Sequence, residues 1–122
     1  MNKESKTIQW YEWGEEAFAE AAVENKPILL SISGAWCHWC HVMDDTTYSD
    51  AKVIAKIEES FVPVRVDTDL RPDINARYNL GGWPTTAFLT PGGELITGGT
   101  YIPPEKMMGS QIEYNRQLLT FE

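Results

Sequence analysis

The chain contains two cysteines, Cys37 and Cys40, with two residues between them. An apolar run precedes the pair and a helical pattern begins at it, so we expect Cys37 at a helix N-terminus. The unpaired backbone N–H groups and the helix macrodipole favour a thiolate there. Cys40 lies one helical turn further on, within reach of any disulfide that Cys37 forms. The spacing therefore predicts thiol–disulfide exchange, with Cys37 as the nucleophile and Cys40 as the resolving thiol.

A second motif, Gly82-Trp83-Pro84-Thr85, lies between a predicted short helix and a predicted strand. A proline at the start of a strand, after Gly-Gly-Trp, is a candidate for a cis peptide bond. The expected order of the sheet brings this loop up beside the cysteines, where the backbone of Trp83 would pair with an extended substrate segment. Trp83 and Pro84 are therefore predicted substrate-docking residues.

Four residues flank the cysteines and are predicted to modulate the thiols or to dock the substrate: Trp36, His38, Trp39 and His41. The two tryptophans either pack in the core or shield the reactive thiol and offer an apolar docking surface. A protonated His38 beside Cys37 would stabilise the thiolate, which would make the disulfide a better oxidant.

The elements that must position these residues alternate along the chain. Apolar runs at residues 28–32, 62–66 and 85–89 are typical of buried strands, and residues 95–97 follow a Pro-Gly-Gly turn as an antiparallel partner. Helical patterns cover residues 14–23, the stretch after Cys37, and residues 50–61, 71–78 and 104–119. In the first helix, Phe18, Ala21, Ala22 and Val23 are expected close to one buried face. This order predicts a single α/β domain over residues 1–122, with a mixed central sheet of about four strands flanked by helices on both faces.

The composition restricts the partners. Lys and Arg number 10 while Asp and Glu number 18, which gives a formal net charge of −8. Such an acidic surface repels phosphate backbones and anionic lipids, so we expect no nucleic acid and no membrane as partner. Residues 1–9 do not resemble a secretory signal, and the longest apolar run, residues 28–32, is too short to cross a bilayer. We therefore expect a soluble, cytoplasmic protein.

Other chemistry is conceivable for the same cysteines and histidines. The run from Cys37 to His41 matches the c-type haem attachment signature, but that chemistry belongs to exported proteins. Zinc is disfavoured because adjacent residues on one helical turn point apart, although a site shared with a second copy stays open. We expect no metal, and no cofactor besides a redox-active Cys37–Cys40 disulfide. A non-catalytic peptide-binding module with incidental thiols is the alternative from another functional class.

The two motifs together resemble the active-site and cis-proline motifs of the thioredoxin superfamily. A closer similarity is to the thioredoxin-like N-terminal domain of the spermatogenesis-associated family and its microbial relatives. It extends from about residue 8 to residue 104 and rests on residues 15–18, 24–28, 37–43, 71–74, 81–85, 88–91 and 99–101. The resemblance implies a thioredoxin-like fold and a protein-disulfide reductase. Its expected partners are disulfide-containing proteins or small-thiol substrates, together with a reductase that recycles the oxidised form.

One residue departs from the pattern of ordinary thioredoxins. Six residues before the nucleophile, that pattern has a buried Asp that manages protons for the resolving thiol, whereas this sequence has Ser31. A hydroxyl is not a comparable base near neutral pH, so proton transfer at Cys40 requires another group or water. Asp44, Asp45 and His41 are the nearest candidates in the sequence.

Overall fold

A four-stranded mixed sheet forms the centre of the computed structural model, which describes residues 7–109. Its strands are β1 (Ile28–Ser33), β2 (Val62–Asp67), β3 (Thr85–Leu89) and β4 (Leu95–Gly99), in the spatial order β2-β1-β3-β4. β1 is parallel to β2 and antiparallel to β3, and β3 is antiparallel to β4. Both β1 and β3, the central pair, are nearly completely buried, as their apolar runs predict.

The helices connect the strands in the predicted order. They are α1 (Glu15–Glu24), α2 (His38–Asp45), α3 (Ala51–Ser60) and α4 (Pro72–Tyr78), and a 3-10 turn (Thr47–Ser49) separates α2 from α3. Residues 104–109 are helical and begin the last predicted helix, whose remaining residues, 110–119, lie outside the described part of the chain. Within residues 7–109, none of the helices has both the length and the apolar character that crossing a bilayer requires.

Side chains of successive strand residues point to opposite faces of the sheet, and each face has its own core. The face covered by α1 and α4 buries Ile28, Leu30, Ile32, Val62, Val64, Val66, Ala87 and Leu89. The face covered by α2 and α3 buries Leu29, Met43, Tyr48, Val53, Ile54, Ile57, Phe61 and Phe88. Helices thus lie on both faces of a four-stranded mixed sheet, which confirms the predicted fold class.

The buried face of α1 differs from the predicted one. Ala17 and Ala21 are fully buried, whereas Ala22 and Val23 are exposed. A helix turns by about 100° per residue, so Val23 points roughly 200° away from Ala21. The expectation that Ala22 and Val23 belong to the apolar face was therefore wrong. The helix ends at Asn25, whose left-handed backbone (φ 56°) lets its N–H bond back to the carbonyls of the last turn.

Candidate active site

Cys37 is the N-cap residue of α2, the position that the sequence predicts. Its Sγ accepts a hydrogen bond from the backbone N–H of Cys40 at 3.1 Å, and its own N–H donates to the Gly34 carbonyl at 3.0 Å. A disulfide links Cys37 to Cys40, with their Cα atoms 5.3 Å apart. A sulfur at this position receives an N–H dipole that favours its anionic form.

Both cysteines lie at the base of an exposed aromatic surface. Cys37 and Cys40 are only 6% and 3% exposed, whereas Trp36 and Trp39 are 56% and 55% exposed. The core-packing alternative for these two tryptophans is therefore wrong, because more than half of each side chain faces solvent. Two buried cysteines thus have exposed aromatic residues as their immediate neighbours in the sequence.

The Trp-Pro loop lies beside this surface. The peptide bond between Trp83 and Pro84 is cis. The indole of Trp83 contacts that of Trp36 edge to face, with ring centroids 5.4 Å apart. Neither the N–H nor the carbonyl of Trp83 is hydrogen-bonded to any of residues 7–109. The loop therefore presents a free stretch of backbone next to the residue that precedes Cys37.

Polar side chains that the sequence analysis did not identify hold the two indoles in place. Trp36 Nε1 donates to Asp69 Oδ2 at 2.9 Å, and Trp83 Nε1 donates to Asn75 Oδ1 at 3.0 Å. Asn79 Oδ1 accepts the N–H groups of both glycines in the Gly-Gly turn before Trp83. An Asn placed before two glycines is a turn signal that could have been recognised in the sequence. Each indole thus has its polar edge bound to the protein, and this fixes the orientation of its rings.

Trp39, in the first turn of α2, is the third tryptophan of this aromatic surface. Its ring contacts Tyr101 with centroids 5.7 Å apart and His38 at 5.3 Å. Trp39, Gly81, Gly82, Trp83, Thr100 and Tyr101 line an open groove of about 340 Å³.

The histidines occupy different positions around the helix start. His38 is exposed and touches Trp39, while Nε2 of His41 lies 2.9 Å from the Ala35 carbonyl. Since a carbonyl only accepts, Nε2 of His41 carries the proton in this contact. In the part of the chain from residue 7 to residue 109, no three His, Cys, Asp or Glu residues are grouped as metal ligands would be.

This sheet, with a cysteine pair at the start of α2 and a cis-proline loop beside it, defines the thioredoxin-like class. The same fold occurs in a solved structure of DsbH oxidoreductase, with a TM-score of 0.76 and 20% identity, covering 97% of this chain and 90% of that one. A thioredoxin from Thermus thermophilus also superposes with a TM-score of 0.76, at 24% identity, covering 88% and 87% of the two chains.

The chain belongs to the family Thioredox_DsbH, described as "Protein of unknown function, DUF255", whose profile matches residues 1–120. The chain is 43% identical over 110 residues to "Uncharacterized protein B0495.5" of Caenorhabditis elegans, covering 84% of this chain and 15% of that protein. Spermatogenesis-associated protein 20 of Mus musculus is 42% identical over 106 residues, covering 80% of this chain and 13% of that protein. Thiol:disulfide interchange protein DsbD of Campylobacter jejuni is 26% identical over 97 residues, covering 77% of this chain and 17% of that protein. The chain thus spans less than a fifth of the length of these relatives.

Proposed function

We propose that this chain is a thiol–disulfide oxidoreductase in which Cys37 attacks a substrate disulfide and Cys40 resolves the mixed disulfide. The observation that carries the proposal is the position of Cys37 at the cap of α2, where its Sγ accepts the N–H of Cys40 at 3.1 Å. The names of two similar proteins, a thiol:disulfide interchange protein and an oxidoreductase, support the same chemistry.

The cycle transfers two electrons to the substrate. The Cys37 thiolate attacks one substrate sulfur, so that a mixed disulfide forms and the other substrate sulfur leaves as a thiolate that takes up a proton. Cys40 loses its proton and attacks Cys37 Sγ, which breaks the mixed disulfide and releases the second substrate thiol. The protein is left with the Cys37–Cys40 disulfide, and a separate reductase must return two electrons before the next turnover. The same steps in reverse oxidise a substrate dithiol to a disulfide.

The surface around the cysteines supports disulfide-containing polypeptides, or small thiol compounds in disulfide form, as substrates. The free backbone of Trp83 next to Pro84 offers strand-like pairing to an extended segment. Trp36 and Trp39 provide apolar contact area on either side, and His38, when protonated, would add a positive charge close to Cys37. These residues therefore modulate the thiols or dock the substrate in our proposal.

Turnover of a disulfide-bonded peptide in the presence of a dithiol reductant tests this function. We expect the wild type to accelerate reduction and Cys37→Ser to abolish the acceleration, while Ser33→Ala, a substitution at the end of β1, retains it. Peptide binding that survives in Cys37→Ser, with no turnover by the wild type, would instead favour a non-catalytic binding module. Equal turnover by the wild type and Cys37→Ser would contradict the proposal.

A further inference from the structure

Polar side chains of α2, β1 and β2 form a partly buried cluster between α2 and the sheet. Arg65 of β2 forms a two-pronged ion pair with Asp44, Nη2 to Oδ1 at 2.8 Å and Nη1 to Oδ2 at 3.2 Å. The same Nη2 donates to the hydroxyl of Ser31 at 3.2 Å. The guanidinium lies over the ring of Trp10, with 4.3 Å to the ring centroid, and 5.5 Å from that of Tyr48. Two aromatic rings and two hydrogen-bonded side chains therefore fix Arg65.

The cluster and the resolving thiol share one face of α2. Cys40, Met43 and Asp44 occupy positions i, i+3 and i+4 of α2, so they share one face of that helix. Met43 on this face is in contact with Thr86, the cross-strand partner of Ser31. Side chains four residues apart on a helix have Cβ atoms about 5–6 Å apart. Asp44 is thus the neighbour of Cys40 one turn further along this face, and its carboxylate is linked through Arg65 to the hydroxyl of Ser31.

Of the candidates for the missing buried acid, the structure favours one. Asp45 is exposed on the next position round the helix, and Nε2 of His41 is occupied by the Ala35 carbonyl. Ser31 and Tyr48 carry hydroxyls, and burial raises the pKa of Tyr48 to about 12, so neither accepts a proton near neutral pH. Asp44 is the carboxylate that both faces the cluster and keeps contact with solvent, since its side chain is 38% exposed.

We propose that Asp44, positioned by Arg65, accepts the proton of the Cys40 thiol and returns it to solvent during resolution of the mixed disulfide. This inference rests on the proposed function and assigns the proton step within it. The S–H bond of Cys40 breaks and its proton passes through one solvent molecule to the Asp44 carboxylate. The electron pair on the Cys40 sulfur forms the bond to Cys37 Sγ, while the bond between Cys37 Sγ and the substrate sulfur breaks and the substrate leaves as a thiolate. Among residues 7–109, Arg65 from β2 is the charged group paired with Asp44, and Cys40 shares a face of α2 with it. The neutral Tyr48 lies near both charges from the 3-10 turn.

The two thiol steps are separable with 5,5′-dithiobis(2-nitrobenzoate), because attack by Cys37 releases one coloured thiolate and resolution by Cys40 releases a second. In Asp44→Asn we expect the first release at the wild-type rate and the second slowed by about tenfold or more near neutral pH. The second release should recover at alkaline pH, where Cys40 ionises without help. Asp44→Glu should restore much of the rate, and Asp45→Asn, the matched control on the same helix, should behave as the wild type.

A purely structural role for the ion pair predicts another pattern. Loss of the link between α2 and β2 would lower the urea midpoint without changing the pH profile of the second release, and that result would overturn the assignment. Arg65→Lys, which keeps one positive charge near Asp44, should retain the wild-type pH profile even if its midpoint falls. If the wild type shows no first release, the proposed function itself fails. If Asp44→Asn shows both releases at the wild-type rate, the proposed function stands and the role of Asp44 fails.

Discussion

The indole rings of Trp36 and Trp83 meet edge to face, with their centroids 5.4 Å apart and their planes at 76°. Trp36 immediately precedes the capping cysteine and Trp83 immediately precedes Pro84. This contact joins the two motifs that the sequence separates by more than forty residues. Because Asp69 and Asn75 bind the polar edges of the rings, the proposed docking surface is already ordered in the protein alone.

The first prediction concerns this aromatic contact. Trp83→Ala removes one ring of the pair and one wall of the groove beside Trp39. One aromatic contact between Trp83 and a bound peptide contributes about 0.5–1.5 kcal/mol, so its loss should raise KM for a disulfide-bonded peptide by about 2–10-fold. Reduction of a small aromatic disulfide should change less, since it needs little of the surface. Steady-state kinetics with both substrates provide the measurement.

Val23→Ala is the matched control for that substitution, because Val23 is an exposed apolar residue of α1. Its KM for the peptide should equal that of the wild type. An unchanged KM in Trp83→Ala would remove Trp83 from the docking surface.

A second prediction concerns the close approach of β4 to β3. A Cβ at Gly98 would lie 2.7 Å from Leu80 Cδ1 and 3.0 Å from Ala87 Cα, and it would also run into the Thr86 carbonyl oxygen. Overpacking of this kind costs about 1–3 kcal/mol, so Gly98→Ala should lower the free energy of unfolding by that amount in urea titrations. In the neighbouring Gly99→Ala the new methyl group would meet only Ile102 at 3.9 Å, and the urea midpoint should remain near that of the wild type. Equal midpoints for the two variants would contradict the strand register.

A third prediction follows from the burial of Tyr48. Desolvation raises the pKa of its hydroxyl from 10.0 to about 12, and the nearby charge of Arg65 opposes the shift. The folded protein therefore keeps this proton at a pH where the unfolded chain has lost it. Stability from this residue is complete below pH 10 and is lost as the pH rises from 10 to 12, a difference of roughly 3 kcal/mol.

Urea unfolding of the disulfide form at several alkaline pH values checks this expectation. The Tyr48→Phe variant should lose less stability than the wild type over that interval, whereas Tyr101→Phe, which keeps Tyr48, should lose as much as the wild type. If the free energy of unfolding falls equally with pH in the wild type and in Tyr48→Phe, the Tyr48 hydroxyl has the same pKa in the folded and the unfolded protein, which would contradict the prediction.

Local patterns in the sequence were sufficient for much of this architecture. The apolar runs of β1 and β3 predict central strands because a strand covered on both faces needs apolar residues at every position. Asp50 predicts the start of α3 as a capping residue, and in the structure its Oδ1 accepts the N–H groups of Lys52 and Val53. Cys37 was predicted at the start of α2 because the apolar run before it and the helical pattern after it are both local features of the sequence.

Contacts between distant segments were beyond the reach of these patterns. Arg65 looks like an ordinary outward-facing strand residue, and only the pairing of β1 with β2 brings it opposite Ser31. Asp69 and Asn75 have no sequence signature that marks them as partners of indole nitrogens. The error at Val23 arose differently, because a helix composed largely of alanine and glutamate has little apolar contrast from which to predict its buried face.

The assignment of the nucleophile is tested most directly by trapping. Cys40→Ser and Cys37→Ser, each reduced and then mixed with a two-chain peptide linked by one disulfide, are analysed by intact mass. We expect Cys40→Ser to accumulate a mixed disulfide with one peptide chain at Cys37, which a reductant removes, and Cys37→Ser to accumulate none. An adduct on Cys40 in Cys37→Ser, with none on Cys37 in Cys40→Ser, would contradict it.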